Sequence, residues 1–183
     1  MKYLFIWLCM TFANLGYSQE QMLPVGSNAD EIAKRIQQRD SSKIGTRLPT
    51  FVAGELDDSI FYSADTTRIT FYYFWYDCGE ACFGQIDALN ELQKKYSGNV
   101  DFISVTNLNK TRLLEVIEKK SFNFKHCMIT QEEINNLGFA NGYPLTLITV
   151  DGVIKLCKSG GPITHEAIEK WKDEYMKVLN TYL

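Results

Sequence analysis

Cys78 and Cys82 lie four positions apart in the run Asp77-Cys78-Gly79-Glu80-Ala81-Cys82, and two thiols so spaced can do redox chemistry by closing and reopening one disulfide. Just before them, Ile69 to Tyr76 is β-branched and aromatic with no polar alternation beyond Thr70, which reads as a strand covered on both faces. From Cys82 onward the period changes, and Ile86, Leu89, Leu92 and Tyr96 share one side of a helix that Ser97-Gly98 stops. The cysteines thus sit where a buried strand ends and a helix begins. There, unpaired backbone N–H groups and the positive end of the helix dipole favour a thiolate and lower its pKa. Residues four apart on a helical turn have Cα atoms about 6 Å apart, inside the disulfide range, and Gly79 lets the turn bend enough to close the bridge. Glu80, between the cysteines, reads either as a group that tunes a thiol or shuttles a proton, or as an acidic residue favoured in a first helical turn. Asp77 reads as a proton acceptor or as a strand-end turn residue.

The elements around the pair come from a chain of 183 residues, 45% apolar and 13% aromatic, enough for one domain with a real core. The formal net charge is −3 and no Lys/Arg cluster appears, which argues against a nucleic-acid partner. Met1-Lys2 followed by an apolar run from Tyr3 to Phe12, with Gly16-Tyr17-Ser18 ahead of Gln19, has the form of a secretory signal cleaved near Ser18-Gln19. That run is too short for a membrane span, so none is expected in the mature chain. Cys9 as a lipoprotein acceptor is disfavoured by bulky Trp7 and Leu8 before it. Export would place Cys78, Cys82, Cys127 and Cys157 outside the reducing cytosol. Four cysteines allow three full pairings, among which close spacing makes Cys78 with Cys82 the natural one.

The expected organisation is a signal peptide over 1–18, an N-terminal extension over 19–44 and a single domain over 45–183. Ser27 is a candidate cap for a short helix from about Asp30 to Gln38, with Arg39 to Lys43 a polar break. Leu48 to Val52 and Ser59 to Tyr62 read as two short strands around the turn-like Gly54 to Asp58. Asn99 to Thr106 is a second core strand, and Lys110 to Lys120 a helix with Leu113, Leu114, Val116 and Ile117 apolar. Phe122 to Ile129 is extended, and Thr130 to Glu133 is a capping box for a short helix that Gly138 ends. Leu145 to Val150 and Val153 to Lys158 form a hairpin through Asp151-Gly152. Thr164 caps a last helix whose inner face is Ile168, Trp171, Tyr175, Val178, Leu179 and Tyr182. This order belongs to an α/β fold with a mixed sheet and helices on both sides.

Leu48-Pro49-Thr50-Phe51 ahead of a hairpin, Phe74-Trp75 before the cysteines, and Tyr143-Pro144 followed by a strand and Asp151-Gly152 resemble the exported thioredoxin-fold thiol–disulfide oxidoreductases of the TlpA and ResA type. The likeness spans roughly Gly45 to the C-terminus. It implies a thioredoxin-like fold, a mixed central sheet with helices on both faces and an N-terminal β-hairpin extension. It also implies a cis Pro144 facing the cysteines, with Tyr143 beside it. In that reading Cys78 is the more exposed attacking thiolate, Cys82 resolves the mixed disulfide, and Pro144 holds a substrate backbone. The partners would be protein thiols or disulfides and an upstream redox donor in the periplasm or cell envelope, with no cofactor. The sequence departs from the family at the centre, where C-x-x-x-C replaces C-x-x-C: Cys82 keeps the second register, Gly79 takes the first and Cys78 sits one step earlier. The same C-x-x-x-C resembles Sco-type copper chaperones, which would make Cys78, Cys82 and His126 copper ligands. A third reading is a non-catalytic binding module with a structural disulfide. Cys127 and Cys157 read as a second disulfide, two buried thiols or an extra redox relay, of which inert packing is favoured.

Overall fold

The computed structural model describes residues 25–65, 68–139 and 142–183. The expected signal segment, its cleavage site and Cys9 lie outside the described residues. Strand β3 (Ile69–Trp75) is buried along its whole length, as its unbroken β-branched and aromatic run requires. It pairs in parallel with β4 (Val100–Thr106) on one edge and antiparallel with β6 (Leu145–Val150) on the other. β4 pairs in parallel with β5 (Lys125–Met128), and β6 turns antiparallel into β7 (Val153–Ser159) through Asp151-Gly152, both at positive φ. The hairpin of β1 (Val52–Glu55) and β2 (Ile60–Tyr62) adds antiparallel to β5, so the order across seven strands is β2-β1-β5-β4-β3-β6-β7.

The pleat divides the core. Phe71, Tyr73 and Trp75 face one layer, closed by α3 (Ile86–Tyr96), α4 (Lys110–Lys120) and α6 (His165–Tyr182). Tyr72 and Phe74 face the other, closed by α5 (Gln131–Asn136) and by Phe51 and Phe61 of the hairpin region. No helix among the described residues is long and apolar enough to cross a membrane.

Local signals place several elements as expected. Thr130 and Glu133 exchange both hydrogen bonds of a capping box, and Asn109 and Thr164 cap α4 and α6. Elsewhere the structure corrects the reading. The first strand begins at Val52 rather than Leu48, because Leu48 N–H goes to the Gly152 carbonyl and Phe51 N–H to the Ser63 hydroxyl. Gly54 then pairs within β1, and the turn falls at Glu55 to Ser59. Leu114 of α4 and Tyr182 of α6 face solvent instead of the core.

The largest correction is at the N-terminus of the described chain. Helix α1 (Val25–Lys43) starts before Ser27 and runs through the expected break at Arg39 to Lys43. Its last turn is held by tertiary bonds that periodicity does not register. Buried Asp40 accepts from Ser159 N–H at 2.7 Å and from the Ser159 hydroxyl at 2.9 Å, while Arg39 Nη2 donates to that hydroxyl at 2.6 Å. The helix is thereby latched to the end of β7. Asp40→Ala leaves the Ser159 amide without its acceptor and is expected to cost about 1–3 kcal/mol in chemical denaturation, with faster hydrogen exchange along α1.

Candidate active site

Beyond Trp75 the chain leaves the sheet, and Cys78 and Cys82 are joined in a disulfide with Cα atoms 5.5 Å apart. Gly79 between them has φ 64° and ψ −146°, a backbone region that residues with a Cβ rarely enter, and a Cβ there would meet nothing. The glycine is required by conformation rather than by space. Cys78 is half-buried, whereas Cys82 is fully buried, so an incoming sulfur can reach the first and not the second.

The helix expected from Cys82 is two helices. α2 (Glu80–Phe83) is a single turn, and α3 starts afresh at Ile86 after Gly84 and Gln85. A single turn aligns few peptide dipoles, so the dipole aimed at the cysteines is smaller than a continuous helix would supply. The break also deprives Ala81 and Cys82 of their helical partners for the carbonyl oxygens. Two side chains replace them: Gln85 Nε2 donates to the Ala81 carbonyl at 3.1 Å, and the Tyr73 hydroxyl, rising from the buried sheet, donates to the Cys82 carbonyl at 2.8 Å. Burial raises the Tyr73 hydroxyl well above the ordinary tyrosine range, so it stays a donor. Gly161, after β7, abuts this turn so closely that a Cβ would collide with the Ala81 carbonyl oxygen.

On the other side, the β3–β6 ladder ends at Phe74 with Leu145, and the preceding Tyr143-Pro144 peptide is cis. Just past the ladder, the Tyr76 and Tyr143 rings meet edge to face with centroids 5.0 Å apart. That contact puts the loop leaving β3 toward Cys78 beside the cis-proline loop. Pro144 is buried and its carbonyl accepts from Gly160 N–H at 2.8 Å. The Tyr143 hydroxyl is sealed without a well-formed hydrogen bond; burial raises its pKa, and the Gln131 amide partly opposes that rise.

The flanking carboxylates go elsewhere than to the sulfurs. Asp77 Oδ2 accepts from Arg112 Nη2 at 2.7 Å and Nε at 3.0 Å. Glu80 curls over Gly84, where a Cβ would fall 2.7 Å from its Oε1. His126 lies inside the sheet, 7% exposed, in a closed relay: Trp75 Nε1–H donates to Ser104 Oγ at 3.1 Å, Ser104 Oγ to His126 Nδ1 at 2.7 Å, and His126 Nε2–H to the Phe122 carbonyl at 2.9 Å. With both ring nitrogens engaged, His126 does not fit as a third copper ligand for the two thiolates. Among the described residues no three His, Cys, Asp or Glu side chains group as a metal site. Cys127 and Cys157 are free and buried, and burial pushes both thiols up to about 12, away from thiolate chemistry near neutral pH.

Cys78, Cys82, Tyr143 and Pro144 therefore stand at one end of the sheet, and His126 does not join them. Tyr73, Gln85, Gly161 and Arg112 escaped the sequence reading. Tyr73 looks like one more core aromatic, Arg112 and Gly161 act across 35 residues or more, and Gln85 acts through a helix break that the apolar period runs straight across.

No protein-family model and no curated protein matches the sequence. Solved structures do match. A thiol:disulfide interchange protein of the thioredoxin family from Chlorobium tepidum superposes at TM-score 0.61 with 16% identity, covering 75% of this chain and 96% of its own. The thioredoxin domain of a thiol-disulfide oxidoreductase from Bacteroides vulgatus gives 0.59 at 13% identity over 70% of this chain and 96% of its own. A secreted Mycobacterium tuberculosis disulfide oxidoreductase gives 0.57 at 16% identity over 67% of this chain and 92% of its own. These likenesses show a thioredoxin-like fold.

Two outcomes follow from the buried groups. Tyr73→Phe leaves the Cys82 carbonyl unpaired in the core and is expected to lower stability by about 1–3 kcal/mol in denaturant titration with little change in shape. His126 is held below its ordinary pKa, chiefly by burial, with the Phe122 carbonyl opposing. The unfolded chain then takes up a proton that the folded one resists. Stability is full above about pH 6.5, falls as pH drops below that, and levels once the folded histidine is itself protonated. A thermal-melt series across that range in wild type and His126→Phe should show this contribution only in wild type.

Proposed function

We propose that this chain is an exported thiol–disulfide oxidoreductase of the TlpA and ResA kind, exchanging disulfides with protein substrates through Cys78 and Cys82. The observation that carries the reading is the Cys78–Cys82 disulfide at the end of the central strand, with its first sulfur reachable and its second sealed, beside the cis Tyr143-Pro144 peptide. The solved structures sharing the fold include several described as thiol:disulfide interchange proteins or oxidoreductases, one of them as secreted. The leader-like start of the sequence agrees with export.

With the pair reduced, the Cys78 thiolate attacks one sulfur of a substrate disulfide. An S–S bond forms between Cys78 and the substrate, and the second substrate sulfur leaves as a thiolate that takes a proton. Cys82, after losing its proton, attacks Cys78 Sγ, forms the intramolecular disulfide and releases the remaining substrate sulfur. The substrate gains two electrons and the pair loses two, so a redox donor must reduce Cys78–Cys82 for another cycle. The electrons pass between sulfurs, and no cofactor enters. Run in reverse, a substrate thiolate attacks Cys78 and Cys82 is the leaving group. Burial of Cys82 makes the order of attack one-sided. Buried Pro144 lacks an N–H and gives the loop a fixed shape against which a substrate backbone can lie.

Cys78→Ser should reduce thiol-dependent disulfide reduction to the uncatalysed rate while circular dichroism stays that of wild type. Cys82→Ser should instead accumulate a mixed disulfide with substrate, visible by mass on non-reducing gels. Undiminished turnover by Cys78→Ser would rule the proposal out.

A further inference from the structure

We propose that Arg112 is a charge-setting residue of this redox site: by neutralising Asp77 next to Cys78, it governs how readily the Cys78 thiol ionises once the disulfide is reduced. The inference rests on the exchange reading above.

Arg112 stands where a helix does not favour it. It lies in the first turn of α4, where the macrodipole repels cations and where α4 carries no acidic residue. Its backbone is accommodated by the Asn109 cap, at 2.9 Å from Arg112 N. Its side chain crosses 35 residues of sequence to set two donors on the single oxygen Asp77 Oδ2, and a third on Glu115 Oε2 at 2.7 Å. Those bonds hold the guanidinium above even its ordinary high range, so it is charged throughout the working pH. Asp77 is the covalent neighbour of Cys78, with Cα atoms about 3.8 Å apart, so carboxylate and guanidinium both act on the sulfur from within roughly one Debye length.

Among the described residues, charged and titratable groups on the elements next to the site include Glu80 on α2, Glu115 on α4, the Tyr76 and Tyr143 hydroxyls, and Lys110, which pairs with Asp58 at 2.9 Å. Without Arg112, Cys78 would ionise beside an Asp77 carboxylate stripped of the guanidinium that pairs with it. With Arg112, the Asp77 charge is cancelled where it matters.

The test is the pH dependence of Cys78 alkylation by iodoacetamide in the reduced full-length protein, followed by mass. Arg112→Gln should raise the midpoint, lowering the rate below it about two- to fivefold, as expected for one charge at this range in a watery site. Arg112→Lys should restore most of the wild-type value. Asp77→Asn should move the midpoint down, because the cation then faces the sulfur unopposed, and the double variant Asp77→Asn with Arg112→Gln should return close to wild type. All shifts should shrink in 1 M salt, where the Debye length is about 3 Å. An unchanged midpoint in Arg112→Gln, or Asp77→Asn and Arg112→Gln moving it in the same direction, overturns the inference. Alkylation needs only a reachable thiol, not turnover. A wild type inert toward protein disulfides would therefore sink the exchange reading, while opposed shifts in the two variants would still uphold the charge-setting role.

Discussion

Strand β3 is hydrogen-bonded along both edges, parallel to β4 and antiparallel to β6, and the rest of the structure follows from that constraint. A strand whose every side chain is buried leaves no edge for water, so its backbone groups must all find partners in neighbouring strands. Its antiparallel neighbour brings the end of β3 and the start of β6 to the same end of the sheet. The Cys78 loop and the cis-proline loop are therefore neighbours by register, and the Tyr76–Tyr143 ring contact is the first thing they share.

The same end of the fold shows how a rigid sheet controls a short, irregular helix. The turn carrying the cysteines is cut off from α3 at Gly84-Gln85, and its exposed carbonyls would be costly so near the core. Tyr73, two residues inside β3, supplies the missing donor to Cys82. The residue carrying the sealed sulfur is thus tied by its own carbonyl to the fully buried central strand. Gln85 and the close approach of Gly161 complete the wall. Cys78 sits in a tight local turn, its amide donating to the Tyr76 carbonyl 2.7 Å away. The asymmetry between an anchored, buried sulfur and a half-exposed one is the asymmetry that ordered thiol exchange uses.

His126 illustrates how residue type alone misleads. Two cysteines and a histidine in one sequence can read as a copper set, but in the sheet the ring is sandwiched between Ser104 and the Phe122 carbonyl, three strands from the cis-proline loop in sheet order. It serves as a neutral link joining β3, β4 and β5 through Trp75 and Ser104.

Local chemistry was legible in the chain. The buried strand from Ile69, read one residue too long at exposed Tyr76, the capping box at Thr130, the Asp151-Gly152 hairpin and the close Cys78–Cys82 pair each depend on residues within a few positions of one another, so propensity, period and spacing suffice to read them. The fold class followed from their order. What only the tertiary structure decided lies in contacts between distant segments: the split between α2 and α3, the extension of α1 under the hold of Asp40 and Ser159, the roles of Tyr73 and Arg112, and the seat of His126. In each of these a polar group takes a partner on another element rather than within its own, and that contact outweighs the local preference that the sequence displays.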